Sequence, residues 1–149
     1  MKLLDIFQLL ASAATALAVF LAWWQIRQAG KQAVVEFEDQ LSAQYRALAR
    51  RLPIEALLGE ALEDARHEAS LTDFYHYVDL TNEQVFLRQG GRISPSTWQN
   101  WSDGIRWNLT RPAFARAWKE IAERSPDSFE GIRRLILSEF KEDPLTWGQ

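Results

Sequence analysis

Cysteine is absent from this chain. That excludes disulfides, thiolate zinc sites and a thiol nucleophile, and it leaves the redox compartment open. Histidine is scarce: His67 and His76 are the only two. There is no phosphate-cradling glycine loop, no Gly-x-Ser-x-Gly elbow and no His-Glu-x-x-His pair. No stretch alternates polar and apolar residues as a half-buried strand would, and no internal repeat is present. Positive charge is not in excess. A net charge of −3 gives no basis for a nucleic-acid partner, which is bound by a basic surface.

One long apolar run is present. Residues 6–26 read IFQLLASAATALAVFLAWWQI, with no charged side chain and a single early amide, Gln8. Twenty-one residues at about 1.5 Å each cover roughly 30 Å, the thickness of a bilayer's hydrocarbon core. A helix is the one single segment that satisfies its own backbone there. Trp23 and Trp24 close the run, and Arg27 and Lys31 follow; rings and snorkelling cations in that order mark a membrane–water interface. Ala11-Ser12-Ala13 and Ala16-Leu17-Ala18 fit small-x-small cleavage sites, but the apolar run continues past both to Trp24. The segment is therefore expected to stay as an anchor. Ala11, Thr15, Ala18 and Ala22 follow a 4-3-4 spacing, which lines one face with small residues and allows close helix packing in lipid. The bases after the run, Arg27 and Lys31 and then Arg46, Arg50 and Arg51, favour a cytoplasmic C-terminal domain.

The remainder reads as helices. Val34, Phe37, Leu41, Tyr45, Leu48 and Leu52 recur at three- and four-residue steps, so the apolar helix is expected to continue as a stalk over residues 27–52, loosened at Gly30. Pro53 suits the first turn of a new helix whose apolar face is Ile54, Leu57, Leu58, Ala61, Leu62 and Ala65. Thr72 is a predicted N-cap for the next, which ends at Gly90-Gly91. Ser94-Pro95 starts a helix carrying Trp98, Trp101, Ile105 and Leu109, and Arg111-Pro112 breaks it. A helix with Phe114, Trp118, Ile121 and Ala122 follows. Ser125-Pro126-Asp127 is predicted to cap a last one bearing Phe129, Ile132, Leu135, Ile136 and Phe140.

The expectation is an all-α chain with a single N-terminal transmembrane helix, a stalk and a small bundle of about five helices. Its parts are a flank (1–5), the membrane helix (6–26), the stalk (27–52), the helical domain (53–141) and a tail (142–149). Trp98, Trp101 and Trp118 are assigned to the core, Trp107 to a surface patch, and Trp147 to the membrane interface or the domain's own surface.

The stretch from Tyr77 to Ile121 resembles uncharacterised bacterial membrane-anchored proteins that pair a short N-terminal span with a compact helical domain. The resemblance is carried by the segment Asp79 to Glu83, the turn Gly91 to Ile93 and the run Trp98 to Ile105. It implies a bacterial source and an all-helical domain, and it assigns no activity; with the anchor, the expected location is the bacterial inner membrane.

His76, Asp79 and Glu83 share a helix face, a pattern that suits a divalent metal or acid–base work. One helix seldom supplies a whole site, so a face paired with arginines is the expected role, and no catalytic, cofactor-binding or metal-ligating set is identified. Asn82 falls inside the apolar arc of its helix and is the candidate buried amide, tied to a neighbouring helix or to the Gly90-Gly91 turn. Eight acids against one base lie between Glu55 and Glu83; seven bases against three acids lie between Arg88 and Arg124. The two blocks are expected to pair within the chain, or between chains. These features point to a non-enzymatic, membrane-tethered protein-interaction module that associates with itself or another membrane protein and contacts membrane lipid. The alternative is an effector whose assembled spans perturb the bilayer.

Overall fold

A computed structural model describes residues 3–148; Met1 and Lys2 of the expected flank, and Gln149 of the tail, lie outside the described residues. Among these the chain is all-α, as the sequence predicts. It has six helices: α1 (Leu3–Ala49), α2 (Ile54–Leu58), α3 (Asp64–Gln89), α4 (Pro95–Leu109), α5 (Pro112–Arg124) and α6 (Glu130–Leu137), then a 3₁₀ turn at Pro144–Thr146. The chain divides into two compact units, Met1–Phe37 and Glu38–Gln149.

The first unit is a single run of helix. α1 is long and apolar enough over its N-terminal part to cross a membrane, and none of that apolar window is buried. Gly30 does not interrupt it. The Thr15 hydroxyl donates to the Ala11 carbonyl at 2.9 Å, which satisfies the one hydroxyl on the small-residue face within its own helix.

The second unit is built on α3. Phe74, Tyr77, Val78 and Val85 of α3 are buried against Phe114 and Ile121 of α5 and Ile132 and Leu135 of α6. The Phe114 ring meets Phe74 and Tyr77 edge-on, with centroids 5.1 and 5.0 Å away. Such pairs add about 0.5–1.5 kcal/mol beyond the area they bury. α6 approaches α3 closely because residue 131 is glycine. A Cβ there would stand 2.8 Å from Val85 Cγ1 and 3.1 Å from Asn82 Oδ1.

Three helix boundaries differ from the sequence reading. α2 stops after five residues, where Gly59 turns the chain at φ 91°, so the expected face never gains length. Ile54 and Leu58 stay exposed, and Ala56 is the buried residue. Thr72 caps nothing: α3 already starts at Asp64 and runs unbroken through it, since no glycine or proline intervenes. α6 begins at Glu130 rather than at the Ser125-Pro126-Asp127 segment. Arg133 holds that segment as a turn by donating to the carbonyls of Ala122, Ser125 and Ser128 at 2.8–2.9 Å, and Phe129 enters the helix at φ 62°.

The expected tail is fastened to the unit. Arg88 of α3 is 4% exposed, and its Nε donates to Asp143 Oδ1 at 2.8 Å while Nη2 donates to Asp143 Oδ2. Its Nη1 donates to the Ile93 carbonyl at 2.8 Å. Asp143 in turn accepts from Leu145 N and starts the 3₁₀ turn, with Pro144 buried. The hydrogen bonds from Arg88 hold the Asp143 carboxyl below its ordinary pKa. Trp147 lies under the Arg134 guanidinium, 4.4 Å from ring centroid to Cζ.

Two substitutions measure these ties by denaturant unfolding of the full chain in detergent. Asp143→Ala leaves a buried guanidinium unpaired and is expected to cost about 3–5 kcal/mol. Gly131→Ala forces α6 off α3 and is expected to cost about 1–3 kcal/mol. A loss below 0.5 kcal/mol (about the noise of surface substitutions) would contradict either reading.

Candidate functional site

On the first unit, the four expected interface residues sit together. Trp23 and Trp24 are each about half exposed, the Arg27 guanidinium lies 5.3 Å from the Trp23 ring centroid, and Lys31 follows one turn on. These side chains line a shallow recess together with Gln28. Ala11, Thr15, Ala18 and Ala22 are exposed on the helix surface.

On the second unit, Asn82 is half-buried rather than sealed in the core. Its Oδ1 accepts from the Ile132 backbone N–H at 3.4 Å, so it serves the first turn of α6, not the Gly90-Gly91 turn. His76, Asp79 and Glu83 are exposed, and among the described residues no three histidine or acidic side chains gather as a metal set would. Among the described residues, an acid of the first block meets a base of the second once, Asp64–Arg116 at 2.8 Å, and His67 meets Glu120 across the same two blocks at 2.9 Å. Asp73 pairs instead with Arg51, and Glu55 with Arg66. Trp98 is buried, whereas Trp101 and Trp118 are only half-buried; Trp107 is 65% exposed, beneath Arg111. Trp118 is not core because it packs between the Phe129 ring and the Arg133 guanidinium.

Trp101 is drawn out of the core by a cleft of about 320 Å³. The cleft lies wholly within the unit that starts at Glu38. α1 contributes Ser42, Tyr45 and Arg46; α3 contributes Tyr77, Thr81 and Gln84; α4 contributes Asn100, Trp101, Gly104, Ile105 and Asn108. Its floor is polar and buried. Asn108 Nδ2 donates to the Tyr77 hydroxyl at 3.1 Å, and Thr81 Oγ1 donates to the Tyr77 carbonyl at 2.8 Å. Burial pushes the Tyr77 phenol's pKa up, so it stays neutral. Gln84 is 5% exposed, and the polar atoms of its carboxamide are not sealed in but reach the surface of the cleft. No carboxylate lines the cleft, and Arg46 is its one charged side chain.

The sequence reading missed this site, but a signal for it exists. Tyr77, Thr81, Gln84 and Arg88 follow a 4-3-4 spacing on α3, a polar stripe in core register, and Trp101, Ile105 and Asn108 follow a 4-3 spacing on α4.

Glu38 lies outside the lining and ties α1 to the start of α4. Its Oε1 accepts from the Ser94 backbone N–H and its Oε2 from Thr97 Oγ1, both at 2.6 Å. Ser94 is the N-cap of α4, its Oγ accepting from Thr97 N, so the carboxylate lies at a helix N-terminus, where negative charge is favoured. Desolvation raises the pKa of Glu38, but the hydrogen bonds from Thr97 and Ser94 outweigh it and the net shift is downward.

No protein-family model, curated protein or solved structure matches this chain.

Because the folded pKa of Glu38 lies below its ordinary value of 4.5, its contribution is complete above that pH. It drains away as pH falls through the lower folded value. Glu38→Gln is expected to lower unfolding free energy by about 1–2 kcal/mol at pH 7. The gap to wild type should close as unfolding is repeated toward pH 3. A gap independent of pH would show that the carboxylate's charge contributes nothing to the tie.

Proposed function

We propose that this chain is a single-pass protein of a bacterial inner membrane, tethered by residues 6–26, with its helical domain on the cytoplasmic side. The domain works as an interaction module that binds itself or another membrane protein; no enzymatic step is assigned to it. The observation that carries this reading is the uncharged stretch of α1, exposed at every described side chain. Leu17, Val19, Phe20 and Ile26 are each about 60% exposed or more, an apolar surface that water does not tolerate over such a length. A bilayer covers it at no cost to the backbone. The Trp23, Trp24, Arg27 and Lys31 cluster supports an interface at its end.

Association rests on two supports. The small-residue face is uncovered. Glu60, Glu63, Glu68, Asp79 and Glu83 are exposed and enter no ion pair among the described residues, which leaves an acidic surface for a complementary partner.

Alkaline extraction of membranes tests the tether. The full chain should stay in the pellet, and Leu17→Arg with Leu21→Arg should release it, each arginine costing about 2.5–3.5 kcal/mol near the span's centre. Release of the unaltered chain would refute the tether. Mass determination in mild detergent tests the module. A dimer, a larger assembly or a bound membrane protein is expected, weakened by Ala18→Leu with Ala22→Leu. Overexpression that collapses the membrane potential through residues 6–26 would instead mark a bilayer-perturbing effector.

A further inference from the structure

The cleft between the end of α1, α3 and α4 has the properties of a ligand site, and these do not depend on whether α1 enters a membrane. Gln84 is the key. A leucine of similar bulk would fill its position, yet a carboxamide stands there whose polar atoms open onto the cleft and are free to pair with whatever occupies it. Such a group is satisfied by a ligand edge that offers an acceptor beside a donor. Carboxamides read the edges of heterocyclic bases in this way.

The rest of the cleft narrows the ligand further. Tyr45 and Trp101 supply two aromatic surfaces for a flat ring to stack on. Gly104 leaves the α4 wall bare: a Cβ there would meet nothing within 4 Å. With no carboxylate in the lining, an amine would find no counter-charge. Arg46, exposed at the rim, favours an anionic group held near solvent, as a bidentate guanidinium–phosphate pair. A cavity of about 320 Å³ is small for a ligand site. It admits one ring-bearing molecule, not a peptide or a dinucleotide.

We propose that this cleft binds a nucleoside monophosphate, with its base edge on Gln84, its ring against Tyr45 and Trp101, and its phosphate on Arg46.

The test is calorimetric titration of the full chain in mild detergent with AMP, GMP, CMP and UMP, with ribose 5-phosphate as the control that lacks a base. At least one nucleotide should bind at one per chain with Kd below about 1 mM, and ribose 5-phosphate should not. Gln84→Leu should weaken binding about tenfold or more, while the melting temperature of the ligand-free protein stays level or rises. Arg46→Gln should weaken the nucleotide and leave the matching nucleoside unaffected. Gly104→Leu should abolish binding with the fold intact, because open space surrounds that position. The proposal fails if none of the four nucleotides binds, if ribose 5-phosphate binds as well as they do, or if Gly104→Leu binds normally. It also fails if Gln84→Leu lowers the melting temperature, since the amide would then be part of the scaffold.

Discussion

The helical domain depends on one buried cation. Arg88 sits near the end of α3 with almost none of its surface in water, and it faces two carboxylate oxygens and a carbonyl. A guanidinium in that position is tolerable only when its fork is filled. Filling it ties the central helix to the adjoining turn before α4 and to the remote 3₁₀ turn after α6. Each further arrangement follows from that closure. The turn at Ile93 places Ser94 to cap α4, the cap presents its N–H to Glu38, and Glu38 seats the end of α1 as the cleft's wall.

The same geometry explains why the domain has a cleft where a closed core was expected. α3, α5 and α6 interlock through aromatic rings and the bare backbone of Gly131. α4 meets α1 differently: the wall is held by a carboxylate at one end, and polar side chains occupy core register along the rest. Close packing across that seam would bury Gln84 and Asn108 against apolar neighbours. The polar stripe therefore keeps the seam open, and Trp101 is left half in solvent. Polar atoms that open onto an aromatic-lined cleft are the physical reason to look for a ligand there.

Most of the architecture was legible because helices announce themselves through period and punctuation. The uncharged run, Ser94-Pro95 and Arg111-Pro112 each correspond to a feature of the structure. What was illegible depended on distant partners. Thr72 is a good cap by composition, but nothing stops α3 from beginning eight residues earlier. Ser125-Pro126-Asp127 also looks like a start, yet three hydrogen bonds from Arg133 hold it as a turn. Asn82 was found, although its partner is a helix terminus fifty residues away. The cleft was overlooked because polar residues at core spacing read as noise in an apolar stripe, when they were the stripe's most informative members.

The polar ties also share a separation along the chain. Glu38 meets Thr97 59 residues later, His67 meets Glu120 53 residues later, and Arg88 meets Asp143 55 residues later. During synthesis each of these groups leaves the ribosome with no partner yet made. At about 5–20 residues per second the wait is several seconds, long compared with helix formation. Short helices such as α2 and α6 are marginal alone, so they form and melt repeatedly until the interactions that arrange them arrive. In that interval the young domain has open charges and an uncovered apolar face on α3, the state in which a chain most needs a chaperone or a nearby surface.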